Sequence, residues 1–481
     1  MNFPWSLIIN IGIISAALLI ATFIRTRIRF VQRFLIPNAL VAGFILLILY
    51  NFVLPQYGLS NEGFGMLVYH LLNISFIAMT LRKGNGKVRK SRGTIFATSV
   101  SVLSQYALQA FLGLLVTFLL IKTIFPGLFP AFGFLLPLGF VLGPGQAFAI
   151  GSGWEPMGFT GAGTVGLTFA AIGFLWACFG GVFLINYAIQ RGWLNKEQIE
   201  LLNSRRIRSG LMKKGVERPV GSFMSTETEA IDPFTYHIAL VMVVYLISYF
   251  LLKGLGLLLA FAGPLGVDLA TNLWGINFVF SAIVALGFKA FAKGAKFEYT
   301  FDNGTLTRIS GFSVDLMVTA AIGAISLVVV GKYIIPILIL STIGGVLALI
   351  GVPWFCSRIF TDHRFQRMLV IFGVSTGTMP TGLALLRVID PDFETPVARD
   401  YMFSSGLTFV FAIPFIMIIN LPAYSATHGN PILFWLAVAV AFAYLLFVLV
   451  SYFLISKRRG IRKPKEIWLR GQDMETDSDI A

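Results

Sequence analysis

Long apolar runs separated by short polar stretches make up most of this chain. A helix needs roughly 20 apolar residues to cross the hydrocarbon core of a bilayer. Runs that meet this need lie at 5–24, 35–53, 63–81, 94–122, 161–188, 233–256, 271–288, 309–331, 333–354, 401–422 and 431–455. Two further apolar segments, 129–156 and 368–390, are interrupted by Gly, Pro and Thr. The pattern predicts an all-α polytopic membrane protein.

The two interrupted segments are rich in helix-breaking residues. The first contains "FVLGPGQAFAIGSGWEP" from Phe140, and the second contains "FGVSTGTMPTGLALL" from Phe372. Irregular backbone in hydrocarbon leaves polar groups unpaired, so it occurs where protein buries it or where it lines a water-filled cavity. Close helix packing is an alternative reason for the glycines, but it does not explain Pro144 and Pro380. We predict that both segments are re-entrant hairpins, which break inside the membrane and return to the same side.

The distribution of basic residues supports that topology. If both segments are re-entrant, loops and tail on the cytoplasmic side carry 34 of the 37 Lys and Arg residues, which leaves Lys122, Lys253 and Lys332 outside. Cytoplasmic loops carry such an excess of basic residues. We therefore expect the N-terminus outside and the C-terminus in the cytoplasm. The net charge of +15 then reflects membrane topology and predicts no nucleic-acid partner.

Matching segments 240 residues apart indicate an internal repeat. "GLTF" occurs at Gly166 and at Gly406, and "NISFIAMT" from Asn73 aligns with "SVDLMVTA" from Ser313. Each half has five spans and one hairpin, and because five is odd, the second half is inverted. Inverted repeats with broken helices are typical of secondary transporters. The predicted divisions are an N-terminal repeat 1–188, a cytoplasmic linker 189–232, an inverted C-terminal repeat 233–422, an extra helix 431–455 and a cytoplasmic tail 456–481.

The second interrupted segment also carries hydroxyl groups. In transporters, the N-termini of broken helices bind carboxylates, while free carbonyl and hydroxyl oxygens coordinate Na⁺. Asp315 is the carboxylate in the middle of a span, at a cost of about 2.5–3.5 kcal/mol on insertion scales. We interpret it as a Na⁺ ligand or proton carrier; the alternative is a buried Asp satisfied by neighbouring donors. The Na⁺ candidates are Asp315, its repeat counterpart Ser75, the nearby Asn73, Ser375 and Thr376.

Other polar residues have two possible roles each. Arg387 could hold a substrate carboxylate or anchor the chain at the cytoplasmic surface. Gln146 could bind substrate, whereas we expect Glu155 at the outer mouth and His70 in the core. Cys178 and Cys356 are expected to be buried and unpaired. The sequence has no His/Cys cluster with metal spacing and no nucleophile–base motif, so we expect neither an enzyme nor an organic cofactor.

Three stretches resemble the bacterial sodium:glutamate symporter family. They are "FLIPNALVAGFILL", "LGPGQAFAIGSGW" and "GVSTGTMPTGLALL…NLPA", within a likeness over roughly residues 1–425. In that family two inverted five-span domains, each with a Gly-rich pore loop, couple Na⁺ entry to glutamate uptake. The resemblance also implies a homodimer in the bacterial inner membrane. The positions that match the two family signatures are Gly143 and Gly145 in the first and Gly377, Pro380 and Thr381 in the second; Leu142 and Pro144 depart from it.

These observations favour a Na⁺-coupled symporter of a small organic anion, such as glutamate or a related acidic amino acid. Alternating access would move the hairpin-bearing core against a scaffold made of spans 1–2 and 6–7. The substrate candidates are Gly143, Gly145, Gln146, Gly377, Thr378, Pro380, Thr381 and Arg387. An ion channel, in which opposed pore loops line a conduction path, and a non-transporting membrane receptor are the alternatives.

Overall fold

The computed structural model describes residues 5–34, 36–83, 92–194, 220–261, 263–390 and 395–469. These ranges form helices and connecting turns, with no β-strand among them. The first half contains α1 (Ser6–Arg27), α2 (Arg29–Arg33), α3 (Asn38–Ile48), α4 (Phe64–Leu81), α5 (Arg92–Thr123), α6 (Leu135–Pro137), α7 (Pro144–Trp154), α8 (Ala162–Leu175) and α9 (Gly181–Arg191). The second half contains α10 (Pro233–Ala260), α11 (Pro264–Gly275), α12 (Asn277–Gly294), α13 (Asn303–Gly323), α14 (Leu327–Ile359), α15 (Arg364–Thr376), α16 (Met379–Leu386), α17 (Val397–Met417), α18 (Leu421–Thr427) and α19 (Pro431–Ser456).

Nine helical stretches in the described part of the chain are long and apolar enough to cross a membrane. They are Ile8–Arg27, Asn38–Tyr57, Phe64–Leu81, Gly93–Thr123, Ala162–Arg191, Pro233–Ala260, Asn277–Gly294, Leu327–Ile359 and Pro431–Ile461. Each overlaps a predicted span. The other two predicted spans fall on α13 and α17, which are helices of 21 residues with more polar sequences. The described part of the chain is therefore all-helical, with the long apolar helices of a membrane protein, as predicted.

The boundary between the predicted eighth and ninth spans is wrong by several residues. The sequence pattern put it near Lys332, whereas α13 ends at Gly323 and α14 begins at Leu327. The cause is an amide side chain from the first half of the protein. Asn51 donates to the carbonyl of Ile325 at 2.9 Å and accepts from the Leu327 N–H at 3.0 Å. These bonds satisfy backbone groups at the break, and apolar periodicity cannot reveal them.

The predicted linker and tail lie partly outside the described residues, since 195–219 and 470–481 are not included. The described end of the linker begins α10 with a cap, in which Asp232 accepts from the Thr235 N–H at 2.7 Å. This backbone hydrogen bond lowers the pKa of the Asp232 carboxyl. The predicted extra helix is α19, which packs against α5 through Phe118 and Trp435, whose ring centroids are 5.0 Å apart.

Candidate functional site

The first interrupted segment breaks where its glycine and proline predict. Short turns of 3-10 and π-helix lead to Leu142, and α7 begins at Pro144. Gly143 between them has φ 96°, a conformation that glycine adopts without the penalty of a Cβ atom. Pro144 occupies the first helical position, where its missing N–H costs nothing. The break separates two runs that together would otherwise make one continuous helix.

The two ends of this segment lie together. The rings of Phe129, the first residue of the segment, and Phe159, just after it, stack with centroids 5.1 Å apart. Near the second end, the Trp154 indole N–H donates to Asn420 Oδ1 at 2.8 Å. The chain therefore leaves one neighbourhood, reaches the break at Gly143 and returns to the neighbourhood it left.

The second interrupted segment also folds back on itself. Helix α15 ends at Thr376, Thr378 is extended, and α16 begins at Met379. Glycines let the two helices touch, because a Cβ on Gly373 would lie 2.7 Å from Gly382 Cα. At the far end of α15, Arg367 forms an ion pair with Asp400 at 3.0 Å, and both side chains are almost fully buried.

The two breaks meet. A Cβ on Gly143 would lie 2.9 Å from Thr378 Cγ2 and 4.0 Å from the Gly377 carbonyl oxygen. The same position is 3.9 Å from Gln146 Oε1, and the hydroxyls of Thr378 and Thr381 are 3.3 Å apart. We call Gly143, Gln146, Gly377, Thr378 and Thr381 the tip cluster. All five were substrate candidates in the sequence.

Two helix N-termini begin at the tip cluster. They belong to α7, with 11 residues, and α16, with 8 residues. The first backbone N–H groups of a helix have no partner inside it, and this end carries the positive part of the helix dipole. The Gln146 side chain is 3% exposed and makes no hydrogen bond within the described ranges. This arrangement suits an anionic group such as a carboxylate.

Unpaired oxygens lie beside the tip cluster, at the C-terminal end of α15. The Gln109 amide, on α5, donates to the Ser375 carbonyl at 3.2 Å. Gln109 Oε1 and Ser375 Oγ are buried and, among the described residues, have no hydrogen-bond partner. The same holds for Gln105 Oε1, one turn earlier on α5. Oxygen atoms at a helix C-terminus are the groups with which transporters coordinate Na⁺.

Gln105 and Gln109 were not among the sequence candidates. Both residues lie on α5, whose sequence holds no break. A signal was nevertheless present, because Thr98, Ser101, Gln105 and Gln109 recur at intervals of three and four residues and so share one helix face. All four are buried. A buried polar face on a membrane-spanning helix could have indicated the site.

Other substrate candidates lie away from the junction or pack against protein. Arg387 is exposed at the C-terminal end of α16, nine residues beyond Thr378, which is about 13 Å along a helix. A Cβ on Gly145 would lie 2.8 Å from Leu72 Cδ1, so close packing on α4 accounts for this glycine. Pro380 is in the first turn of α16. Thr376, a Na⁺ candidate, donates to the Phe372 carbonyl at 2.8 Å.

The Na⁺ candidates of the paired spans differ in their surroundings. Asn73 Oδ1 accepts from Ser281 at 2.9 Å, and its amide donates to the Tyr69 carbonyl at 2.8 Å. Ser75 is 3.0 Å from the Ser310 hydroxyl. Asp315 lies on an exposed face of α13, where its carboxylate has no hydrogen bond to any described residue. Asn73 and Ser75 are thus satisfied by helix packing, whereas Asp315 is not.

Comparisons with known proteins identify no relative. No family model matches the chain, and neither a curated protein nor a solved structure is significantly similar to it. The class of protein, an all-helical membrane protein, rests on the helices themselves. The function must be inferred from the junction of the two breaks and from the oxygens beside it. The two cysteines, Cys178 and Cys356, are buried and free, as predicted.

Proposed function

We propose that this protein is a Na⁺-coupled secondary active transporter of a small organic anion, with glutamate and related acidic amino acids as the first substrates to test. The observation that carries the proposal is the contact between Gly143 and Thr378, which joins two helix breaks and two helix N-termini. Broken helices that meet in this way are typical of the substrate sites of secondary transporters. The resemblance to the sodium:glutamate symporter family extends the proposal to a homodimer in a bacterial inner membrane.

The proposal includes two re-entrant hairpins in inverted repeats. Support for the hairpins comes from contacts between residues on the two sides of each segment, Phe129 with Phe159 and Arg367 with Asp400 of α17. Support for the repeat comes from helix order. A shift of 240 residues takes the bounds of α4, Phe64–Leu81, to 304–321, and α13 covers Asn303–Gly323. The same shift takes α5 to 332–363, where α14 ends at Ile359.

The substrate carboxylate would bind at the tip cluster. Backbone N–H groups at the starts of α7 and α16 would donate to it, with Gln146 and Thr381 as additional donors. Na⁺ would bind the unpaired oxygens of Gln109 and Ser375. Because Ser375 is the last residue but one of α15 and lies three residues before Thr378, a bound Na⁺ would fix the chain that presents Thr378 to the substrate. This link is the proposed basis of coupling.

Uptake into proteoliposomes tests the function. Purified full-length protein is reconstituted, and accumulation of labelled glutamate is measured with an inward Na⁺ gradient and with choline in its place. A panel of acidic amino acids and dicarboxylates follows. We expect concentrative uptake only with Na⁺, and binding of the same substrate to detergent-solubilised protein that weakens without Na⁺. Passive current without accumulation would identify a channel. The absence of both flux and Na⁺-dependent binding for every compound in the panel would contradict the proposal and favour the receptor.

A further inference from the structure

A basic cavity lies where two candidate membrane spans end. The proposed transport function uses none of its residues. The spans are Ala162–Arg191 and Pro431–Ile461. The cavity has a volume of about 520 Å³, and the end of α9 and the chain after α19 form its walls. Its charged lining residues are Arg191, Lys463, Lys465 and Glu466. Glu466 lies 3.7 Å from Lys463, so two of the three cations have no acidic neighbour in the lining.

Aromatic rings form the rest of the wall. Trp193 and Trp468 stack with centroids 4.8 Å apart and an interplanar angle of 14°. Arg191 lies over the Tyr187 ring at 5.2 Å. Tryptophan and tyrosine are enriched at membrane–water interfaces, where one end of the ring system is apolar and the other polar. The composition of the cavity therefore matches the level of lipid headgroups.

Hydrogen bonds from side chains to backbone carbonyls hold the far wall in place. Arg358 is fully buried at 0% exposure, and its Nη2 donates to the carbonyls of Lys463 at 2.8 Å and Glu466 at 2.7 Å. Trp354 donates to the Pro464 carbonyl at 3.0 Å. Arg364 donates to the Leu469 carbonyl at 2.9 Å. The segment that carries Lys463 and Lys465 is thus fixed against α14 and the start of α15.

An apolar groove lies further along the same span, Ala162–Arg191. It has a volume of about 460 Å³, and Phe179 and Phe183 line one side with Leu349 of α14 on the other. The Phe183 ring stacks on Tyr187, a cavity residue, with centroids 5.9 Å apart. From Phe179 to Arg191 the helix rises about 18 Å, close to half of the roughly 30 Å hydrocarbon core. A lipid acyl chain has this length.

We propose that the cavity and groove form one binding site for an anionic phospholipid. The phosphate would lie between Arg191, Lys463 and Lys465, and an acyl chain would occupy the groove beside Phe183. Basic pockets at the cytoplasmic ends of membrane helices bind anionic headgroups, and the adjoining apolar groove selects a lipid over a soluble phosphate. The site is independent of the transported substrate, because no residue of the tip cluster contributes to it.

Native mass spectrometry of the purified full-length protein tests this site. Phosphatidylglycerol and phosphatidylcholine with identical acyl chains are titrated separately, and inorganic phosphate is the soluble competitor. We expect one phosphatidylglycerol retained per chain at concentrations at least tenfold below those needed for phosphatidylcholine. Excess phosphate should displace little of it. Equal retention of the two lipids, or displacement by phosphate at concentrations like those of the lipid, would overturn the proposal.

Variants assign the binding to this site. Arg191→Gln, Lys463→Gln and Lys465→Gln combined should raise the half-saturating phosphatidylglycerol concentration at least tenfold. Lys122→Gln, Lys253→Gln and Lys332→Gln remove the same charge elsewhere and should change it less than twofold. Phe183→Ala keeps every charge and should weaken retention about threefold; it decides the matter if the triple variant does not fold. Equal effects of the two triple variants, or no effect of Phe183→Ala, would place the lipid elsewhere.

Discussion

At the scale of single residues, Gln109 differs from Asn73 although both are fully buried amides on membrane-spanning helices. Asn73 has partners for both its polar atoms, in Tyr69 and Ser281. The Gln109 amide nitrogen has a hydrogen-bond partner, the Ser375 carbonyl. In the described part of the protein, the Gln109 amide oxygen and the Ser375 hydroxyl have no partner. An unsatisfied buried polar atom costs about 1–3 kcal/mol. Gln109 and Ser375 are in contact, and we propose that Na⁺ binds their two unpaired oxygens.

Replacement of Gln109 by Met tests that role, because Met has nearly the same length and no amide. We expect the Na⁺ concentration that half-saturates substrate binding to rise at least tenfold. The Ser375 carbonyl loses its donor, which should cost about 1–3 kcal/mol of stability, but the unpaired Gln109 oxygen is removed as well, so the protein should remain folded. Gln56→Met, which removes an exposed amide bonded to the Phe52 carbonyl, is the control. A lower thermal midpoint with unchanged Na⁺ dependence would make Gln109 a structural residue.

Asp315 offers a second test, because its carboxylate has no hydrogen bond to lose within the described ranges. Asp315→Asn keeps the shape and removes the charge. If Asp315 takes part in ion coupling, Na⁺-driven uptake in proteoliposomes should fall at least tenfold while the amount of protein in the membrane is unchanged. Glu229→Gln, at an exposed position on the predicted cytoplasmic side, should leave uptake unaltered. Equal uptake by Asp315→Asn and the native protein would assign the charge to solubility or assembly.

The break at Gly143 could be predicted from sequence, whereas the partners of the site could not. Gly and Pro determine the break locally, through a positive φ and a missing N–H. Gln109 reaches Ser375 across 266 positions of chain, and nothing local indicates that pairing. For Gly145, the sequence suggested a role that the tertiary structure does not require. The sequence suggested it as a substrate residue, yet the space that its missing side chain leaves is filled by Leu72, and only tertiary structure reveals this.

At the scale of elements, α15 and α16 present the second break by packing face to face. The contact depends on glycine on both helices. A Cβ on Gly382 would lie 2.7 Å from the Val370 carbonyl oxygen and 2.8 Å from Val374 Cγ2. A backbone carbonyl cannot move aside as a flexible side chain can, so any substitution must separate the helices. Separation at this point would displace Thr378, four residues away, from Gly143.

Gly382→Ala tests this packing. Overpacking by one methyl group should lower the free energy of unfolding by about 1–3 kcal/mol and weaken substrate binding at least tenfold. Gly331→Ala is the matched control, since it lies in α14 with no atom within 4 Å of an added Cβ. Alanine there should be neutral or stabilising by roughly 0.5–1 kcal/mol. Thermal unfolding in detergent and equilibrium binding measure both effects; equal behaviour of the two variants would contradict the packing account.

At the scale of the whole molecule, the length of apolar runs predicted the helical membrane class and most helix positions. It failed where polar residues from distant segments set a boundary. The turn between α13 and α14 is held by Asn51, and Asn61 donates to the Gly323 carbonyl at 3.0 Å. Hydropathy sums over a window, so it detects a span but not the side chain that ends one. The same limit hid the buried anchoring of residues 463–469 by Arg358 and Arg364.

Membrane sidedness of the first interrupted segment distinguishes a re-entrant hairpin from a single crossing. Gly127 and Thr160 are exposed on either side of the segment, and both native cysteines are buried, so background labelling should be low. If the segment is re-entrant, Gly127→Cys and Thr160→Cys should both react with a membrane-impermeant maleimide added outside intact cells. Glu227→Cys, in the predicted cytoplasmic linker, should react only after permeabilisation. Reaction of Gly127→Cys and Thr160→Cys from opposite sides would mean that the segment crosses once. The two halves would then have the same orientation, and the inverted repeat, with the transport mechanism built on it, would have to be abandoned.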